Sequence, residues 1–151
     1  MKRFFKILFL GFALMLETTQ ISEAAECDFD CTLQQHLNAI EKRDYPAFEK
    51  TLTKGKNLTL ILPNGHFSES AEQFRAMMKE WFADQSWKLQ YRLVSKQKSV
   101  DMASALLLVS YDEKDEHGKL HHLDYYLNLI FKKEGSHWAL VHDQNTLIAK
   151  R

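Results

Sequence analysis

Residues 133–146 read Lys133-Glu134-Gly135-Ser136-His137-Trp138-Ala139-Leu140-Val141-His142-Asp143-Gln144-Asn145-Thr146. A polar turn runs into a tryptophan and then a strand-like stretch, the pattern of a closing hairpin. Successive side chains of a strand point to opposite faces. Strict alternation therefore groups Trp138, Leu140, His142, Gln144 and Thr146 and turns Asp143 the other way. Upstream, Leu123, Tyr125, Leu127, Leu129 and Phe131 alternate with His122, Asp124, Tyr126 and Asn128, as in a strand with one apolar face. Ala103 to Tyr111 is a continuous apolar run, expected as a buried strand, and the polar Asp112–Lys119 segment is the loop after it. Trp87, Leu89, Tyr91 and Leu93 alternate with Lys88, Gln90 and Arg92 and open this run of hairpins.

Towards the N-terminus the period becomes helical. Phe74, Met77, Met78, Trp81 and Phe82 form the apolar face of a helix that opens at a Ser70/Gln73 capping box and ends near Asp84. Leu58–Leu62 is a short strand closed by Pro63-Asn64-Gly65. Asp44-Tyr45-Pro46 stops one helix and starts another carrying Phe48 and Leu52. Leu33, Leu37 and Ile40, behind a Thr32 cap, predict a first helix running to about Arg43. Helices first and mostly antiparallel strands afterwards predict an α+β domain.

The composition suits one globular domain: 151 residues, 45% hydrophobic and 26% charged. Twenty basic residues balance 20 acidic ones, which removes any global attraction to nucleic acid or an anionic membrane. Lys2, Arg3 and Lys6, the Ile7–Leu16 apolar run and Ser22-Glu23-Ala24 read as a signal peptide over 1–24, with a single domain over 25–151, exported to a periplasm or secreted. That run of about ten residues is well short of the roughly 20 that a spanning helix needs, so no stable membrane insertion is expected after cleavage. Export makes a Cys27–Cys31 disulfide chemically possible, and helical i, i+4 spacing puts the Cα atoms about 6 Å apart, inside the bridging range. The C-x-x-x-C spacing is not that of a redox motif.

Three motifs in order give a resemblance to a known family. They are His36-Leu37-Asn38-Ala39-Ile40 with Arg43-Asp44, then Leu62-Pro63-Asn64-Gly65, then the hairpin of residues 133–146. Together they resemble the nuclear transport factor 2-like superfamily, especially its SnoaL-like and ketosteroid isomerase-like branch. The hairpin is also similar to that of the calcium/calmodulin-dependent kinase association domain. The resemblance spans roughly residues 32–148. It implies a cone in which N-terminal helices and a curved, mostly antiparallel sheet enclose a pocket, and often a dimer through the outer sheet face. It does not imply one function, because this fold hosts isomerases, cyclases, dehydratases, binding modules and assembly domains.

In that family the row holding Trp138 points into the cone. The resemblance thus implies a ligand pocket of Trp81, Tyr125, Trp138, Leu140, His142 and Gln144. The branch often carries His-x-His-x-Ser where this chain has His142, Gln144 and Thr146, so a two-histidine site lacks its second member. His142 is the candidate acid/base or hydrogen-bonding group, a neutral histidine satisfied by backbone being the plainer reading. For the aromatic residues the plainer reading is core packing. Superfamily enzymes that move protons beside a carbonyl need a pocket carboxylate, and alternation supplies none here, since Asp143 points away. There is no phosphate loop or nucleophile elbow, and no cofactor is expected. His122 and Asp124 share a strand face, but adjacent His121 points oppositely, so no metal site is expected. The leading expectation is an exported, homodimeric pocket protein for a small, partly apolar ligand, dimerising through the face with His122, Asp124, Tyr126 and Asn128. The alternatives are a cofactor-free isomerase, cyclase or dehydratase-like enzyme using His142, and a protein-interaction module.

Overall fold

The computed structural model describes residues 27–148; segment 1–24, read above as a signal peptide, lies outside them. Helix α1 (Phe29–Lys42) starts ahead of Thr32 because Asp28 caps it, accepting the Cys31 amide at 3.0 Å. The Cys27–Cys31 disulfide, with Cα atoms 5.3 Å apart, joins the residue before this cap to the first turn. Arg43 ends α1 with a left-handed backbone (φ 54°), and its N–H returns to the Ala39 and Ile40 carbonyls. Asp44 accepts the Ala47 amide at 2.9 Å and starts α2 (Tyr45–Glu49). Ser70 accepts the Gln73 amide at 3.2 Å and starts α3 (Ala71–Ala83). The Gln73 side chain does not complete the box. It accepts from the Ser68 hydroxyl at 2.9 Å instead.

The strands are β1 (Asn57–Ile61), β2 (Phe67–Ser70), β3 (Trp87–Lys98), β4 (Met102–Lys114), β5 (Leu120–Glu134) and β6 (His137–Leu147). They form one sheet in the order β2-β1-β6-β5-β4-β3. All neighbours are antiparallel except β1 and β6, which run parallel. Strand β4 is not buried on both sides, as its apolar run suggested. Ala103, Ala105, Leu107 and Val109 are buried, while Leu106 and Leu108 are half-buried on the opposite, outer face.

The core lies on the concave side. Phe29, Leu33, Leu37 and Ile40 of α1 and Phe48, Phe74 and Phe82 of the other helices share one cluster with Leu127, Leu129, Phe131 and Leu140. Within it His36 is wholly buried, its ring 4.6 Å from that of Phe48 and 5.7 Å from that of Phe131. The Thr51 hydroxyl donates to the Phe48 carbonyl at 2.6 Å, so the 2.7 Å contact between His36 Nδ1 and Thr51 Oγ1 puts the ring proton on Nδ1. Burial pushes the His36 pKa down to about 3 and keeps the ring neutral.

One irregularity in β6 decides the site. Phe131 pairs with Leu140 while Ile130 pairs with His142, leaving Val141 as an extra residue in a β-bulge. At the same point the Leu140 N–H donates to the Thr51 carbonyl at 2.8 Å, and its carbonyl accepts from the Thr53 N–H at 3.0 Å. Beyond the bulge β6 pairs with β1, Leu60 opposite Asp143. Because the side-chain period is two, one inserted residue exchanges the faces of everything after it.

Candidate functional site

A cavity of about 290 Å³ opens between the helices and the concave sheet face. Ile40, Phe48, Met77, Met78 and Trp81 line it from the helices, and Leu60, Leu89, Tyr111, Glu113, Tyr125, Leu127, Asp143 and Asn145 from the strands. Of the residues singled out in the sequence, Trp81 and Tyr125 are in this wall. Trp138 and Leu140 face inward but belong to the packed core away from the cavity, Trp138 lying 5.8 Å from the Phe29 ring. His142 and Gln144 are not in the wall. The Val141 bulge moves them to the outer face, where His142 Nε2 lies 3.3 Å from Gln144 Oε1 and the two pair with Thr59 and Ile61 of β1. Asp143 and Asn145 take the inward places that strict alternation assigned to them.

Asp143 is thus a carboxyl in a mostly apolar wall. Burial pushes its pKa up to about 7, opposed by the hydrogen bond from Asn145 Nδ2 to Oδ1 at 2.8 Å. The same Asn145 amide nitrogen donates to the Ile61 carbonyl at 3.0 Å, which fixes its orientation. Burial, then the charge of Asp143, push the Tyr125 phenol well above its ordinary range. Burial likewise raises Tyr111, to about 12, against a hydrogen bond from Trp81 Nε1 at 3.2 Å. A carboxyl near its midpoint at neutral pH both gives and takes a proton readily.

The aromatic end of the wall is braced from behind. Trp81 stacks on Trp87 with centroids 4.0 Å apart and planes within 5°, and Trp87 Nε1 donates to the Trp81 carbonyl at 2.7 Å. The Arg43 guanidinium covers the Trp87 ring at 3.7 Å and donates to the Asp84 carbonyl at 2.6 Å and to the Trp87 carbonyl. These contacts offset the left-handed backbone of Arg43, which costs a non-glycine residue roughly 1–2 kcal/mol.

On the outer face His122 stands between Asp112, 2.8 Å from Nδ1, and Asp124, 3.3 Å from Nε2, and both carboxylates raise its pKa. His121 turns to Asp115 at 3.0 Å. Among the described residues no group of three or more His, Cys, Asp or Glu side chains is placed to hold a metal ion. Tyr111 and Glu113 were within reach of sequence reasoning, since alternation from Ala103 carries both to the inner face. Asp143 and Asn145 were hidden by the bulge, which no glycine marks.

No protein-family profile matches the chain, and no curated protein matches it. Solved structures do. A ketosteroid isomerase-like protein from Erwinia carotovora atroseptica superposes with a TM-score of 0.61 at 17% identity, covering 86% of this chain and 99% of its own. A nuclear transport factor 2-like superfamily protein from Salmonella enterica gives 0.63 at 16% identity, covering 79% and 87%. The CaMKII hub from S. rosetta gives 0.58 at 19% identity, covering 78% and 92%. These superpositions, each over most of both chains, give this chain the nuclear transport factor 2-like fold.

Proposed function

We propose that this chain is an exported protein that binds one small, largely apolar molecule in its cavity, with Asp143 as the polar anchor. The observation that carries the reading is an ionisable carboxyl on the wall of an open apolar cavity, with one hydrogen bond to it among the described residues. Holding a carboxyl there costs free energy that a leucine would not, which argues for a partner from outside the chain. Trp138 packs in the core and Trp81 lies along the wall, so neither fills the space. This disfavours an interaction module with a closed cone. Export is supported by the signal-like residues 1–24 and by the Cys27–Cys31 disulfide. Homodimerisation is supported by the exposed Tyr126 and Met102 on a mixed outer face and by a hub among the structural neighbours. The test is Nile red fluorescence with native mass spectrometry on protein from the exported fraction. Wild type should enhance and blue-shift the dye, and Met78→Trp, which fills the cavity, should abolish this. A wild type that leaves the dye dark and retains no small molecule would end the pocket reading.

The Asp143 pKa of about 7 favours a second reading, a cofactor-free enzyme of the isomerase, cyclase or dehydratase kind. The acid/base role then passes from His142 to Asp143, with Tyr111 and Tyr125 as donors towards a developing oxyanion. Deuterium incorporation beside the carbonyl of 2-indanone, followed by NMR, tests it. Exchange above buffer that Asp143→Asn removes supports the enzyme, and exchange at the buffer rate defeats it.

A further inference from the structure

We infer that the cavity selects an organic ammonium ion, its nitrogen seated on Asp143 and its hydrocarbon body against Trp81, Tyr125 and Met78. The inference rests on the pocket reading above and adds the charge class of the ligand.

Two carboxylates, Asp143 and Glu113, line the cavity, and no Lys, Arg or His lines it among the described residues. On the aromatic side Arg43 covers Trp87, which stacks on Trp81 of the wall, and its guanidinium is engaged with two backbone carbonyls. The indole and amide donors of the wall are spent, which leaves the phenol hydroxyls of Tyr111 and Tyr125. Trp81 gives its indole N–H to Tyr111, and Asn145 gives its amide N–H groups to Ile61 and Asp143. The acceptor of Asp143 is not spent, because among the described residues its Oδ2 receives no hydrogen bond. An anion would therefore meet two carboxyl groups without a counter-ion, and a carbonyl would find only phenol hydroxyls as donors. An ammonium group, with three donors and no acceptor, complements this surface. The ring faces of Trp81, Tyr111 and Tyr125 add cation–π attraction in a partly dehydrated site.

Proton exchange gives the inference a sign. Burial pushes the Asp143 pKa up to about 7, so at neutral pH the empty cavity holds it partly protonated. An ammonium ion favours the carboxylate, so binding releases protons. A carbonyl acceptor favours the protonated acid, and binding then takes protons up.

The experiment is isothermal titration calorimetry of the exported, disulfide-bonded protein with tryptamine, tryptophol and indole-3-acetate, which share one ring system and differ in charge. Buffers of different ionisation heat at pH 7 report the proton count. Tryptamine is expected to bind at least about tenfold more tightly than tryptophol, with proton release, and indole-3-acetate most weakly. Asp143→Asn should erase the tryptamine advantage and leave tryptophol within about threefold, whereas Glu113→Gln should reduce it only in part. Equal or tighter binding of tryptophol, proton uptake with tryptamine, or a preference that survives Asp143→Asn would overturn the inference and leave the pocket intact. Nile red binding with no indole bound would do the same. Failure of the dye and all three indoles together would overturn the pocket itself.

Discussion

At Asp143 the folded chain holds a proton that the unfolded chain releases near pH 3.8. Between about pH 4 and 7 the native state therefore binds more protons, and stability falls as pH rises through that window. Asp143→Asn removes the dependence. In urea melts the variant should match wild type near pH 4 and exceed it at pH 8 by up to about 4 kcal/mol, less what cavity water restores. His36 works in the opposite sense. Its folded pKa, about 3, lies below the ordinary 6.5, so its contribution is present above 6.5 and lost as pH falls towards 3. The two slopes oppose each other between about pH 4 and 6.5, so wild-type stability should be nearly flat there. Asp143→Asn should unmask the His36 dependence, with stability climbing as pH rises over the same interval. A variant as flat as wild type would show that the Asp143 carboxyl is not buried in solution.

Among the elements, the Val141 bulge is the one whose loss changes the site without changing any residue in it. Deleting Val141 restores strict alternation, drives His142 and Gln144 inward and turns Asp143 out, at the expense of the β1 pairing. Urea melts should show the deletion grossly destabilised or unfolded, while Val141→Ala, at a half-buried position, should cost about 1 kcal/mol or less. The disulfide closes a very short loop, so reduction should lower stability by no more than about 2 kcal/mol and leave the far-UV spectrum unchanged. Most elements were legible in the sequence because burial imposes a period. The stripe of α3, the row of β5 from Tyr125 to Phe131, and Trp87, Leu89 and Tyr91 of β3 face the core as their spacing requires, while Leu93 at the end of the β3 row is 42% exposed. The bulge was not legible for the same reason. Beyond Leu140 both candidate rows are polar, His142 with Gln144 and Asp143 with Asn145, so hydrophobic alternation cannot choose between them. Strand β4 misled in the other direction, since Leu106 and Leu108 are apolar on the face away from the helices.

At the scale of the molecule, that outer face is the surface to test. Leu106, Leu108 and Ile130 are half-buried there, and Tyr126 and Met102 are 42% and 39% exposed. In the proposed homodimer Tyr126 packs near the centre, and Tyr126→Glu would desolvate a charge, weakening association at least tenfold or so. Sedimentation equilibrium should give a dimer for wild type and a shift to monomer for the variant; a wild-type monomer at high micromolar concentration would refute the dimer. Strand order has a further consequence, for synthesis. Strand β6 is the last of the described strands to be made, yet it lies between β1 and β5. Until residues 137–147 have left the ribosome, the β1–β2 hairpin and the β3–β5 meander share no ladder, and the carbonyls that β6 must pair stay exposed. Completion of the sheet therefore waits for β6, which closes on β5 through a local hairpin and on β1 at high sequence separation. A nascent chain in this state has no finished core for an unfolding motor to dismantle, and a premature stop before His137 would leave two half-sheets for proteolysis rather than a smaller domain.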